Sequence, residues 1–329
     1  MRFLRHVTRL LRPCLTTALA AAAFTASAWA ADFPGKPITF VVPAPPGGPT
    51  DILARLLADD MRQAWGQPVL IDNKPGAGGL LATHFVARAP ADGHTILLAF
   101  TNHLTNAVLN PQAGYDPIKD FTPISLLVNA GAVLAFRPSL PIQNWDDFLR
   151  HAKASPGGVN IGNAGAGSST HIYSEMIGEA TRLKINPIPY KGEAPMHTEL
   201  LAGTLDFGLM SIGPYVRFAQ AGKLRGIATT LRSPLVPDMP TFADLGVPGP
   251  GKVRGWFGVI GPAGIPPEIA DKIARRIQQR IAQPEIAARL TNDWAFVPVG
   301  STPDEFAQTM KAEYAEWARV IKSFGIKLE

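Results

Sequence analysis

The chain has 329 residues, 46% of them hydrophobic, with 31 Lys and Arg against 26 Asp and Glu. That length exceeds a single small core and fits two lobes. The one cysteine, Cys14, excludes an internal disulfide framework, and basic residues scattered rather than striped exclude a nucleic-acid partner recognised by bulk charge.

Residues 1–30 read as a secretory signal. Arg2, Arg5, Arg9 and Arg12 form a basic start without acids, Cys14 to Ala26 is a short apolar stretch, and Ala28-Trp29-Ala30 supplies a small-x-small cleavage pattern. The apolar run is too short to span about 30 Å of hydrocarbon, and Arg12-Pro13 before Cys14 is not a lipoprotein context. Cleavage after Ala30 removes four arginines and no acid, which takes the formal charge from +5 to +1. The mature chain is then thiol-free, which suits an oxidising compartment. It excludes thiolate metal sites and cysteine nucleophiles. The periplasm is the expected location, with no membrane-embedded segment in the mature chain.

From there, strands alternate with helices. Ile38 to Val42, Val69 to Ile71 and Thr95 to Ala99 read as strands, with helices over Ile52 to Trp65 and Leu80 to Ala89. The middle repeats the alternation. Ala132 to Phe136, Val159 to Ile161, Ile188 to Tyr190, Leu205 to Met210 and Arg225 to Thr229 are extended. Trp145 to Lys153, Thr170 to Thr181 and Ala194 to Ala202 are helical. Ser233 to Gly251 is a Pro- and Gly-rich irregular connection, and Trp256 to Ile260 is a strand. Pro267 to Gln283 and Pro303 to Phe324 are amphipathic helices that dock on a core through Ile269, Ile273, Ile277, Ile281 and through Phe306, Met310, Trp317, Ile321. The expected class is α/β, with mostly parallel sheets flanked by helices. The divisions are 1–30 leader, 31–131 first part of lobe one, 132–250 lobe two, and 251–329 the return to lobe one.

Three places share a strand, a Gly-rich turn and a helix start. The first runs from Pro43 through Ala44, Gly47, Gly48 and Pro49 to Thr50 and Asp51. The glycines let the backbone approach a ligand, Thr50 or Asp51 can cap the helix, and free N–H groups with the helix dipole attract an anion. The second contains Gly165, Gly167, Ser168, Ser169, Thr170 and His171, hydroxyls able to hold a carboxylate without formal charge. It lacks both the Walker pattern and Gly-x-Ser-x-Gly. The third contains Tyr190, Lys191 and Gly192, where Lys191 can neutralise an anion and Tyr190 wall it. Each also has a plain reading, as an ordinary turn, a capped helix with a satisfied histidine, and a solvated lysine. Thr101 and Asn102, with His103, follow a strand end where α/β sheets bind ligands. Pro75 to Gly79 is a further turn with a packing or ligand role. The histidines show no metal-site spacing, and Asp59-Asp60 and Asp146-Asp147 are helix neighbours that do not share a face. No metal or cofactor is expected.

Taken in order and spacing, a longer set of segments resembles the substrate-binding component of tripartite tricarboxylate transporters, the TctC or Bug family. They are Pro34-Gly35-Lys36-Pro37-Ile38, Val41-Val42-Pro43 through Gly47-Gly48 to Asp51, Trp65-Gly66-Gln67-Pro68-Val69, and Asn73 to Gly79. Further along come Ala91-Asp92-Gly93, Tyr115-Asp116-Pro117 with Lys119-Asp120-Phe121, Gly167-Ser168 with His171, Tyr190-Lys191-Gly192 and Ala221 to Arg225. The resemblance covers essentially the whole mature chain. It implies a type II periplasmic-binding fold, two α/β lobes joined by crossing strands with the ligand between them. It also implies that the first and second turns grip a carboxylate, partly through water, and that the chain is a monomer delivering to membrane transporter subunits. Two positions depart from the family's pattern: Ala44 replaces an aromatic residue, and Met210, before Ser211, replaces an acid, which leaves the ligand's far end open. The leading expectation is a non-catalytic binding protein for a small carboxylate. The alternatives are the same fold taking an amide, amino acid or aromatic compound, a sensor input, and a periplasmic hydrolase using Ser168 or Ser169 with His171.

Overall fold

The computed structural model describes residues 33–323 apart from 111 and 248. The leader assigned to 1–30, with Cys14, lies outside the described residues.

The chain starts with β1 (Ile38–Val42), α1 (Pro49–Trp65), β2 (Val69–Asn73), a single 3-10 turn at Ala77–Gly79, α2 (Leu80–Ala87), β3 (Thr95–Phe100), α3 (Asn102–Leu109) and β4 (Phe121–Ala130). It then crosses through Gly131 into β5 (Ala132–Phe136), α4 (Trp145–Lys153), β6 (Val159–Asn163), α5 (Ser169–Thr181), β7 (Ile185–Pro189), α6 (Glu193–Ala202), β8 (Phe207–Ser211), α7 (Ile212–Gln220) and β9 (Arg225–Thr229). After the short α8 (Gly249–Lys252) it returns through β10 (Gly255–Pro262), α9 (Pro267–Ile281), α10 (Pro284–Asn292), β11 (Phe296–Pro298) and α11 (Pro303–Ser323). The first sheet has the order β11-β4-β10-β3-β1-β2 and the second β7-β6-β8-β5-β9. The result is the expected two-lobed α/β fold, one sheet to each lobe, flanked by helices.

The sheets are mixed rather than mostly parallel. β1 pairs in parallel with β2 and β3, and β6 with β7 and β8. β4, β5 and β10 run antiparallel to their neighbours. The reversal follows from the connection: β5 and β10, which enter a lobe from the crossing, run against the direction of its β-α-β units, whereas β4, which leaves lobe one, runs with them.

Several elements escape the sequence patterns. β4 contains Pro123, which argues against a strand. The proline is accommodated because β11 pairs only with residues 128–130, so Pro123 faces β10 alone. α3 consists largely of Asn, Thr and His, which favour caps over helix interiors. Burial decides instead, for residues 102 to 106 are all buried. α7 and α10 likewise carry no long stripe. α1 starts at Pro49, not Ile52, with Gly48 as its N-cap and no side-chain cap, so neither Thr50 nor Asp51 plays that part.

The two C-terminal helices dock as their stripes predict. Ile269, Ile273, Ile277 and Ile281 of α9 pack on the first sheet with Phe40 and Leu57. On its other face a core of lobe-one residues (Leu104, Trp256, Phe306, Trp317) is continuous with lobe-two residues (Ile172, Tyr173, Met176). Within it, Phe306 lies against bare backbone: a Cβ on Gly258 would stand 2.4 Å from the Phe306 ring. Gly258→Ala should therefore cost about 1–3 kcal/mol through overpacking, and Phe306→Ala about 3–5 kcal/mol through the cavity it leaves. In a urea-denaturation double-mutant cycle the pair should cost clearly less than the two single losses added; strict additivity would refute the contact.

Candidate functional site

A cleft of about 430 Å³ opens where the two sheets meet the crossing strands, with Ala130, Gly131, Ala132 and Gly255 on its floor. Five helices begin on its wall. α1 and α3 come from lobe one, after β1 and β3. α5, α6 and α7 come from lobe two, after β6, β7 and β8. In both sheets the strands that feed these helices end at the cleft, so the first-turn N–H groups point into it. α1, α3, α6 and α7 have no side-chain cap. Only α5 is capped, by Ser168, whose Oγ accepts the His171 N–H at 3.1 Å. First-turn N–H groups have no intrahelical acceptor, so the cleft is surrounded by the positive ends of helix dipoles.

Of the residues expected here, Ala44, Gly47, Gly48, Thr50, Thr101, Asn102, Ser168, Ser169, Lys191, Gly192 and Ser211 line this one cleft. The first turn is held open from behind. Asp51 points away from the cleft and is buried; its carboxylate accepts the Gly47 N–H at 3.0 Å, Arg55 Nε at 2.8 Å and Asn73 Nδ2 at 3.0 Å. Asn73 also donates to the Ala44 carbonyl. Gly47 adopts φ +86°, which an L side chain resists. Burial works to raise the Asp51 pKa, but hydrogen bonds from Arg55, Gly47 and Asn73, with the Arg55 charge, outweigh it and hold the carboxyl below its ordinary value. Asp51 is thus a strut of the turn, not a wall of the cleft.

The second turn behaves similarly. The Gly167 N–H donates to His171 Nδ1 at 3.1 Å, and Ala164 N–H donates to Thr170 Oγ1 at 3.0 Å, with Ser168 Oγ and Thr170 Oγ1 in mutual hydrogen bond. His171 therefore spends Nδ1 on the backbone and does not line the cleft. Across the cleft floor, Thr105 Oγ1 on α3 donates to the Gly167 carbonyl at 2.6 Å and ties the two lobes beside the site.

Two further residues turn elsewhere. Tyr190 donates its hydroxyl to Glu199 at 2.9 Å, and burial with that carboxylate pushes its pKa up to about 12. Met210 is fully buried with Met196 and Tyr215. Strand alternation sends it into the core and Ser211 to the cleft, so the residue at 210 does not set the cleft's polarity. His103 also faces inward, its Nε2 3.0 Å from the Pro117 carbonyl, and burial pushes its pKa down to about 4. The turn from Pro75 to Gly79 packs on α3 through Asn106, whose Nδ2 donates to the Gly78 carbonyl at 3.0 Å.

Sequence reasoning missed much of the wall. Phe100, Phe257, Phe296 and Trp294 make a row, with neighbouring ring centroids 6.5, 5.5 and 6.3 Å apart. They come from three separate strands and a helix end, so no local pattern unites them. Glu193, His197 and Arg217 also line the cleft. Among the described residues the charged side chains of the wall all come from lobe two, and the lobe-one wall has none. Among the described residues no group of His, Cys, Asp or Glu could hold a metal ion, and no helix is long and apolar enough to cross a membrane.

Asp51→Asn should lower the urea midpoint at neutral pH by weakening the hydrogen bonds that its carboxylate accepts from Gly47, Arg55 and Asn73. Because the folded-state pKa lies below the ordinary 3.8, this stabilisation is complete above that value and fades as pH falls through the lower folded one. The wild-type advantage should thus stay constant from pH 7 to about 5 and shrink in the acid range. An advantage that grows on acidification would contradict the assignment.

Residues 53–326 match the TctC model, the tripartite tricarboxylate transporter family receptor. The chain is 33% identical over 315 residues to Protein BugT of Bordetella pertussis, covering 94% of this chain and 96% of that one. It superposes on R. palustris Rpa4515 with adipate at a TM-score of 0.84 and 32% identity, over 90% of this chain and 99% of that one. Against MatC (Rpa3494) from Rhodopseudomonas palustris with bound malate the TM-score is 0.80 and the identity 32%, over 88% and 100%. The cleft between two α/β lobes is that of a periplasmic solute-binding protein rather than an enzyme, and the chain belongs to the TctC family of tripartite tricarboxylate transporter receptors.

Proposed function

We propose that this protein captures a small carboxylate in the periplasm, after export through its leader, and delivers it to a membrane transporter of the tripartite tricarboxylate type. The observation that carries the reading is the convergence of five helix N-termini, from both lobes, on one cleft whose lobe-one wall bears no charged side chain. A carboxylate there gains hydrogen bonds from N–H groups and dipole stabilisation without a desolvated cation. Gly48 and Thr50 of the first turn and the start of α5 at Ser169 supply the donors, with Thr101 and Asn102 beside them, and the aromatic row takes the carbon chain. Relatives of the same fold holding adipate and malate support the class of ligand. A ligand that touches both lobes favours the arrangement in which they meet, by its differential affinity for it.

In a thermal-shift panel on protein freed of co-purified ligand, a carboxylate at a hundred times its Kd should stabilise by about 2.7 kcal/mol, several degrees in Tm. A broad panel of mono-, di- and tricarboxylates with no shift would reject the reading. Gly48 offers a sharper check. Its backbone is extended and a Cβ there meets nothing within 4 Å. Gly48→Val should therefore leave unliganded stability within about 1 kcal/mol, yet cut affinity about tenfold or more by screening the α1 N-terminus from the ligand. Unchanged affinity in calorimetric titration would place the carboxylate elsewhere.

A further inference from the structure

The lobe-two wall of the cleft already holds a carboxylate. Glu193, in the first turn of α6, turns to the start of α7. Its Oε1 accepts the Ser211 hydroxyl at 2.7 Å, and the Ser211 N–H lies 3.1 and 3.2 Å from its two oxygens. The anion position at that helix start is therefore filled by the protein itself, and Ser211 is spent as a donor. No lysine or arginine among the described residues comes within ion-pair distance of Glu193, although Lys191 and Arg217 stand exposed on the rim. An ionised carboxylate has about four acceptor positions, and Ser211 draws mainly on Oε1, so Oε2 keeps capacity toward the cleft. One helical turn on, on the same face, His197 also lines the cleft; its Nε2 is buried, makes no hydrogen bond and lies 3.5 Å from Glu193 Oε2. Glu193 Oε2 thus keeps hydrogen-bonding capacity beside a buried, unbonded His197 nitrogen, in the lobe-two wall next to the turn that carries Ser169, where the Ala164 carbonyl accepts the Gly192 N–H at 3.2 Å.

We propose that Glu193 and His197 form a second polar subsite that receives a hydrogen-bond donor and rejects a second carboxylate. The ligand class this selects is a monocarboxylate with an amide, hydroxyl or ammonium group at its far end. A second carboxylate would face the fixed charge of Glu193 in a desolvated cleft, where like charges are strongly disfavoured. An amide N–H or ammonium finds an acceptor in Oε2. This inference rests on the carboxylate reading above, in which the first-turn N–H groups at Gly48 and Ser169 take the anion.

The test titrates the purified protein with succinate and adipate and with their monoamides, succinamate and adipamate, in a calorimeter. The wild type should bind at least one monoamide about tenfold or more tightly than the matching diacid. Glu193→Gln, which keeps an acceptor for Ser211 while removing the charge, should erase or reverse that ratio. Diacids bound by the wild type as well as the monoamides, or a ratio unmoved in Glu193→Gln, would overturn the subsite and leave the carboxylate reading standing. Binding of none of the four compounds to either protein, with a non-acid stabilising both in the thermal panel, would overturn the carboxylate reading and this inference together. The wild-type comparison decides by itself if the variant fails to fold.

Discussion

Helix starts that cannot satisfy their own N–H groups shape this molecule. Each carries roughly half a unit of positive charge, and five of them face one another around a cleft between the lobes. The topology imposes this. In a β-α-β unit the helix starts where its strand ends, and the β-α-β strands of both sheets end toward the crossing segments at residues 130–132 and 255. Water can satisfy such groups, and so can any anion of suitable size. The arrangement therefore favours negative charge before a single side chain is specified. Side chains behind the turns, Asp51 and Asn73 in one lobe and Thr170 and His171 in the other, keep the backbone in position. They contribute geometry rather than charge.

The lobes are not two independent bodies joined by loose tethers. Thr105 binds the Gly167 carbonyl across the floor. Tyr173 on α5 donates to the Val253 carbonyl and lies 6.4 Å, ring to ring, from Trp317 on α11. These contacts join the two lobes beside the cleft, and α11 joins in because the chain returns to lobe one at its end. Rotation of one lobe against the other must pivot about this packed seam, which leaves the open side of the cleft as the part free to change. Close packing resists continuous deformation, so the seam limits the number of arrangements the lobes can adopt and ties helix α5, with its N-terminus in the site, to the pivot.

The sequence carried the fold well where periodicity was strong. The stripe of Ile269, Ile273, Ile277 and Ile281 is a docked helix, and the β1 run is a fully paired inner strand. It failed where tertiary context overrides local preference, as at α3 and at Pro123 of β4. The three turns with a strand before and a helix after were legible as candidate places on the cleft, although the Gly-rich turn at Pro75 to Gly79 packs on α3 instead. Roles inside those turns were not. Asp51 and His171 share the motif yet face backward, and nothing in spacing separates a strut from a wall. Met210 and Ser211 differ only by strand parity, which a register shift of one residue would exchange. The aromatic row was out of reach for a different reason: Phe100, Phe257, Trp294 and Phe296 meet only once the first sheet is assembled.

Helix dipoles and backbone amides are poor discriminators, since every carboxylate presents much the same group to them. Selectivity must come from whatever meets the remainder of the ligand. Here that is an aromatic surface, tolerant of chain length, and a fixed acid with a histidine beside it. Glu193 fills the start of α7, removing one of the five anion-attracting ends and leaving a negative group where a positive field would otherwise be. Reversing the sign at one helix start costs little in stability, because Ser211 and the helix dipole support the charge that does it. It changes the question the site asks of a solute, from how many carboxylates it carries to where its hydrogen-bond donors are. On this reasoning the polarity of a binding cleft is set less by how many basic residues line it than by which helix starts the protein has already neutralised for itself.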